Sequence, residues 1–120
     1  MSPPVFSKSE IIALVSRQLD YYNARDIEGF CSCYHPEVRV EWLLSKRLIS
    51  EGLNQFRARY IELFQNSPTL HCELKSRIVL NDFVIDEELV TGIQSNAEAL
   101  HTVAMYGFRD GLIDRVWFPR

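Results

Sequence analysis

Two runs of alternating side chains flank Asp110-Gly111 in the segment Leu100–Phe118, LHTVAMYGFRDGLIDRVWF. Asp-Gly between such runs is a strong β-hairpin signal, because both residues of the tight turn need positive φ. A second pair of runs, His71–Leu80 and Phe83–Gly92, meets at Asn81-Asp82. Long antiparallel strands at the end of the chain, preceded by helical segments, predict an α+β fold. Its curved, mostly antiparallel sheet wraps around N-terminal helices and encloses a pocket.

The helical part has its own signals. Ser7-Lys8-Ser9-Glu10 fits a capping box, and Ile11, Ile12, Val15, Leu19 and Tyr22 then recur at helical spacing. Gln18 and Tyr22, four apart, share one flank of that stripe. Asn23–Asp26 breaks the helix, and Asp26 caps a short second one running through Tyr34, which His35-Pro36 ends because the residue before proline avoids the α region. Val38, Val40 and Trp42 alternate as a strand, with Leu48–Ile49 pairing back weakly. A third helix starts near Gly52, carries Leu53, Phe56, Tyr60, Leu63 and Phe64, and stops at Asn66-Ser67-Pro68. Residues 1–6, with two prolines, form a loose lead-in. The whole chain reads as a single domain.

Composition excludes several classes. A net charge of −3 over 120 residues offers no basic field for nucleic acid or anionic lipid. The apolar runs are far too short to span a membrane, and MSPPVFSKSE lacks the apolar stretch of a signal peptide. Three cysteines, Cys31, Cys33 and Cys72, are an odd number without zinc spacing. A reduced, cytoplasmic protein is expected, with no metal site. No phosphate loop, dinucleotide fingerprint or nucleophile elbow is present, so no cofactor is expected.

The hairpins allow side chains to be assigned to faces. A two-residue turn at Asn81-Asp82 pairs Leu80 with Phe83, sets Arg77 opposite Asp86 and Lys75 opposite Glu88, and puts these charged pairs on one face. The other face then carries Cys72, Leu74, Ser76, Ile78 and Leu80 against Phe83, Ile85, Glu87, Leu89 and Thr91. Glu87, opposite Ser76, is the one ionisable group on that apolar surface. Either it is a pocket carboxylate whose pKa rises in apolar surroundings, suited to proton transfer, or it reaches a rim, a lysine or a partner chain. A register slip of one residue would exchange the two faces. In the last hairpin, a strict two-residue loop puts Arg115 and Trp117 on the face of Tyr106. A three-residue loop with a bulge at Gly111 puts Asp114, Val116 and Phe118 there instead. The bulged form is preferred because it extends an apolar inner face; it sets Asp114, a second candidate acid, beside Tyr106.

The order of elements, together with Tyr22-Asn23-Ala24-Arg25-Asp26, Val38-Arg39-Val40-Glu41 and Tyr106-Gly107-Phe108-Arg109-Asp110-Gly111-Leu112-Ile113, resembles the nuclear transport factor 2-like superfamily. Within it, the SnoaL-like and ketosteroid-isomerase-like bacterial proteins are most similar. The resemblance covers nearly the whole chain and implies a cone-shaped sheet around a pocket. It also implies homodimers formed through the outer sheet face, here Val103 and Met105, with Ile113 and Trp117 in the bulged register. The isomerase's oxyanion-donating tyrosine falls on Gln18, its general-base aspartate on Trp42 and its protonated aspartate near Ala104. Trp42 and Ala104 cannot move a proton, so the resemblance does not imply ketosteroid isomerisation by the usual residues. Related cyclases often use a single acid, a role open to Glu87.

The resulting expectation is a pocket protein for a small, largely apolar, ring-containing molecule. If it is an enzyme, it is a cofactor-independent isomerase, lyase or hydrolase. Glu87, Tyr106 and Asp114 are the candidate catalytic residues, and Gln18, Tyr22, Trp42, Ser76 and Phe118 the candidate ligand contacts. The alternative is a binding or assembly module whose cavity is filled by its own aromatic side chains.

Overall fold

In a computed structural model, described here for residues 7–120, three helices and six strands follow one another in the chain. The lead-in expected for residues 1–6 lies outside the described residues. The elements are α1 (Lys8–Ala24), α2 (Ile27–Ser32), β1 (Tyr34–Trp42), β2 (Leu48–Glu51), α3 (Leu53–Asn66), β3 (His71–Leu80), β4 (Phe83–Thr91), β5 (Leu100–Arg109) and β6 (Leu112–Phe118).

The strands form one sheet in the order β2-β1-β6-β5-β4-β3. Only the β1–β6 pair is parallel; the other neighbours are antiparallel. The expected α+β architecture is therefore the observed one. Its core joins Ile11, Leu14 and Val15 of α1, Phe30 of α2 and Phe56 of α3 to the strand residues Val38, Val40, Val84, Ala104 and Val116.

Local chemistry sets the ends of the elements. Ser7 accepts a hydrogen bond from the Glu10 amide (3.2 Å), capping α1. At its other end, Arg25 takes the left-handed conformation (φ 54°) that closes the helix. Asn23 then clamps Cys72 at both its carbonyl (3.0 Å) and its amide (2.8 Å). The guanidinium of Arg25 donates to the Leu70 carbonyl (2.8 Å). The Asn-Ala-Arg stretch thus ties the end of α1 to the start of β3.

The second helix ends two residues earlier than the sequence predicts. Asp26 caps it as expected, accepting from the Gly29 amide (3.0 Å), but α2 stops at Ser32 and Tyr34 opens β1. The Ile113 amide donates to the Cys33 carbonyl (3.0 Å), so the parallel β1–β6 contact begins where the helix would have continued. Tyr34 turns inward onto Phe56, with ring centroids 4.3 Å apart. Tertiary packing overrides the local helical pattern here.

Both hairpins form, each with an irregularity. The turn at Asn81-Asp82 pairs Leu80 with Phe83, Arg77 with Asp86 and Ser76 with Glu87, as predicted. Beyond Ser76 a bulge at Lys75 shifts the register, so Leu74, not Lys75, faces Glu88, and Cys72 faces Val90. In the last hairpin Arg109 pairs directly with Leu112, giving a two-residue turn with Asp110 at φ 56° and Gly111 at φ 76°. The bulge comes later, between the Phe108–Ile113 and Gly107–Arg115 pairs, with Asp114 as the extra residue. It still sets Val116 beside Tyr106 and carries Phe118 to the inner face. Ile113, expected on the outer face, is fully buried because it precedes the bulge.

Candidate active site

The concave face of the sheet and the helices enclose a cavity of about 600 Å³. That lies within the range typical of small-ligand pockets, about 300–1,000 Å³. Gln18, Leu19 and Tyr22 of α1 line one wall, Phe30 and Tyr34 the floor side, and Tyr60 and Leu63 of α3 a second wall. The sheet contributes Trp42, Cys72, Glu88, Val90, Thr102, Tyr106, Val116 and Phe118. Of the predicted site residues, Gln18, Tyr22, Trp42, Tyr106 and Phe118 are brought together here.

Three expected residues are placed elsewhere. Glu87 points to the opposite face, where its carboxylate accepts from Ser76 (2.8 Å) and meets His101 Nε2 (2.7 Å). The hydrogen bond from Ser76, followed by that to His101, lowers its pKa, the reverse of what a pocket acid needs. Ser76 shares that outer position with it, in a separate hollow of about 330 Å³. Asp114 sits in the bulge and lies 3.5 Å from Arg109 Nε; Tyr106 pairs with Val116 instead.

The carboxylate in the cavity is that of the next residue, Glu88. Residues 84, 86, 88 and 90 are buried, and the intervening ones are half-buried. Sequence reasoning missed this because both faces of β4 alternate apolar and acidic residues. It also set the Arg77–Asp86 pair on the face opposite the apolar one that carries Glu87. In the structure Asp86 is fully buried under α1, and Arg77 donates to it (2.6 and 2.9 Å) and to Ser16 Oγ (2.7 Å). Had that pair been read as internal, Glu88, two residues along the strand, would have fallen on the same side.

The electrostatics of Glu88 suit proton transfer. Burial, then the negative charge of Asp86, pushes its pKa up from 4.5 to about 7; the Cys72 thiol, by hydrogen bonding, and Arg77 oppose this. Near neutrality both protonation states are populated. The Cys72 thiol is itself pushed up, first by burial and then by the charge of Glu88, so it is a donor to Glu88 rather than a thiolate.

A hydrogen-bonded chain lies beside it. Tyr34 donates its hydroxyl to Gln18 Oε1 (2.7 Å), and Gln18 Nε2 donates to the Val15 carbonyl (3.0 Å) and to the Tyr106 hydroxyl oxygen (3.3 Å). The buried amide is thereby satisfied. Since the Tyr106 oxygen accepts in this chain, its own O–H remains to donate to a ligand oxygen. Burial, then the charge of Glu88, holds the Tyr106 phenol well above its usual pKa, so it stays a donor. Among the described residues no cluster of His, Cys, Asp and Glu could hold a metal ion.

These features define a cone-fold pocket protein with one acid in its cavity. A family model for the SnoaL-like domain matches residues 15–116. The chain belongs to the SnoaL-like family, within the nuclear transport factor 2-like superfamily. No curated protein matches its sequence. Among solved structures, an uncharacterised cystatin-fold protein of Novosphingobium aromaticivorans is 23% identical with a TM-score of 0.82, over 91% of this chain and 97% of that one. A proposed ketosteroid isomerase of Kribbella flavida is 20% identical (TM-score 0.77; 97% and 82% covered). A proposed SnoaL-like polyketide cyclase of Jannaschia sp. is 18% identical (TM-score 0.75; 98% and 89% covered). At these identities the likeness is one of fold.

Proposed function

We propose that the protein binds a small, largely apolar, ring-containing molecule in the cavity and moves a proton on it, with Glu88 as the acid–base group. The observation that carries this reading is the buried Glu88 carboxyl, pushed to a pKa of about 7, in a cavity that also contains the Tyr106 hydroxyl. In the carboxylate form Glu88 takes a proton from a carbon beside a ring carbonyl, while Tyr106 donates its O–H to the carbonyl oxygen as negative charge builds there. Returning the proton from Glu88 to a different carbon gives an isomerase; returning it to a leaving oxygen gives a lyase. Neither step exchanges electrons with a redox cofactor. The acid-base and ring-substrate assignment agrees with the cyclase and isomerase proposed for two structural neighbours.

The test is proton exchange. Wild type and Glu88→Gln are incubated in deuterated water with a panel of cyclic ketones such as 2-tetralone and 2-decalone, and α-deuteration is followed by NMR. The reading expects exchange in wild type and a loss of about 10²–10⁴-fold in the variant. No exchange above buffer, or equal exchange in both proteins, would refute it.

We also propose that the outer sheet face assembles two copies of the chain. It presents Ile78 and Leu80, both more than half exposed, with Ile85 and a Phe83–Trp117 ring contact of 5.7 Å. Such a continuous apolar strip is costly to leave in water. No helix of the described residues is long and apolar enough to cross a membrane, and the three free, buried cysteines fit a reducing compartment such as the cytoplasm.

A further inference from the structure

Two charged side chains on the cavity wall have no role in proton transfer. Arg59, on α3, and Arg120, beyond β6, both line the cavity, and both are exposed where Glu88 is buried. They therefore lie where the cavity wall meets solvent. Glu88 is the only acidic side chain among the described lining residues, so no side-chain carboxylate other than the buried Glu88 lines the cavity with these guanidinium groups.

Arg39, Arg57, Arg77, Arg109 and Arg115 each hold a carboxylate of this chain; Arg17, Arg25 and Arg47 hold none, but they do not line the cavity. Arg59 makes no ion pair or hydrogen bond with any described residue. Arg120 is positioned rather than paired. Its guanidinium carbon lies 5.5 Å from the ring centroid of Trp42, itself a cavity residue. Its main-chain oxygen accepts from the amides of Leu44 (2.6 Å) and Ser45 (3.0 Å). A cation–π contact holds the guanidinium over the ring and uses none of its N–H groups, which are left to receive an oxyanion.

We infer that the ligand of this cavity is an amphipathic anion. Its ring body fills the apolar interior toward Glu88, and its acidic group (carboxylate, sulfonate or phosphate) is held at the mouth by Arg59 and Arg120. The inference rests on the reading of the cavity as a small-molecule site. It adds a specificity the fold alone does not carry: a neutral ring still enters the cavity but binds about tenfold more weakly than its anionic counterpart.

Two fluorescent probes test it, 8-anilinonaphthalene-1-sulfonate and N-phenyl-1-naphthylamine, which share one aromatic body and differ by the sulfonate. Titrations at about pH 6, where Glu88 is largely neutral, compare wild type with the Arg59→Gln/Arg120→Gln double variant. The sulfonate is expected to bind wild type about tenfold more tightly than the neutral probe. That advantage should disappear in the double variant and shrink in about 0.5 M salt, while the neutral probe is unaffected. Equal binding of the two probes to wild type, or an advantage that survives in the double variant, overturns the anion inference and leaves the cavity reading standing. Failure of both probes to bind overturns the cavity reading and the inference with it.

Discussion

Arg77 holds the fully buried carboxylate of Asp86 through two hydrogen bonds, from Nε (2.6 Å) and Nη2 (2.9 Å). With Nη1 on Ser16 of α1 (2.7 Å), the same guanidinium pins the β3–β4 hairpin against the first helix. This fixes which face of β4 looks inward, and so delivers Glu88 to the cavity.

Removing one member of that pair leaves a buried charge without its partner. Arg77→Met is expected to cost on the order of 3–5 kcal/mol in urea unfolding. Adding Asp86→Leu to it should recover most of the loss, because two apolar side chains then replace two ions. A single variant as stable as wild type would show that the pair does not organise the hairpin.

Glu88 makes stability depend on pH in a direction opposite to most carboxylates. Its folded pKa of about 7 lies above the 4.5 of an unperturbed glutamate, so between these values the folded state binds more protons than the unfolded one. Stability from this group is complete below pH 4.5 and declines as pH rises to about 7, by on the order of 3 kcal/mol in all. Glu88→Gln should therefore melt higher than wild type at pH 8 and close to it at pH 4.5. The melting curves of the two proteins at several pH values check the sign.

Gly92, just beyond β4, has φ +77°, and a Cβ there would lie 2.2 Å from the Thr69 carbonyl oxygen. The obstacle is backbone, and the conformation itself disfavours any other residue. Gly92→Ala is expected to lose more than about 1 kcal/mol, measured by chemical denaturation. Gly107, whose Cβ would meet side-chain atoms at 3.3 Å or more, is the milder control.

On the outer face, Ile85→Asp should convert a dimer to a monomer in sedimentation velocity without loss of secondary structure. A monomeric wild type, or a variant that remains dimeric, would move assembly away from this face.

The parts of the fold legible in the sequence are those governed by local chemistry. Ser7 and Asp26 cap their helices, and Asp110-Gly111 takes the positive φ of a hairpin turn, though as a two-residue turn and not the preferred three-residue loop with a bulge at Gly111. The Asn81-Asp82 turn fixes pairing as far as Ser76–Glu87. Two bulges, at Lys75 and Asp114, were not legible at their positions, because a bulge is chosen by the curvature of the whole sheet. The site suffered most. β4 is amphipathic in neither sense, with Val84 and Val90 on one side and Ile85 and Leu89 on the other. Only the burial of Arg77–Asp86 under α1, a long-range contact, decides between Glu87 and Glu88. Gln18, Tyr22, Trp42 and Tyr106 reached the cavity because their faces follow from helix period and strand alternation alone, whereas Phe118 reached it through a bulge in β6.

The central claim is that Glu88 is a cavity carboxyl titrating near neutrality, and carbon-detected NMR of the glutamate side-chain carboxyls tests it directly. The account predicts one glutamate resonance with a midpoint near pH 7, absent from the spectrum of Glu88→Gln. If every glutamate titrates below about pH 5, as exposed carboxyls do, Glu88 is no acid–base group and the account is wrong.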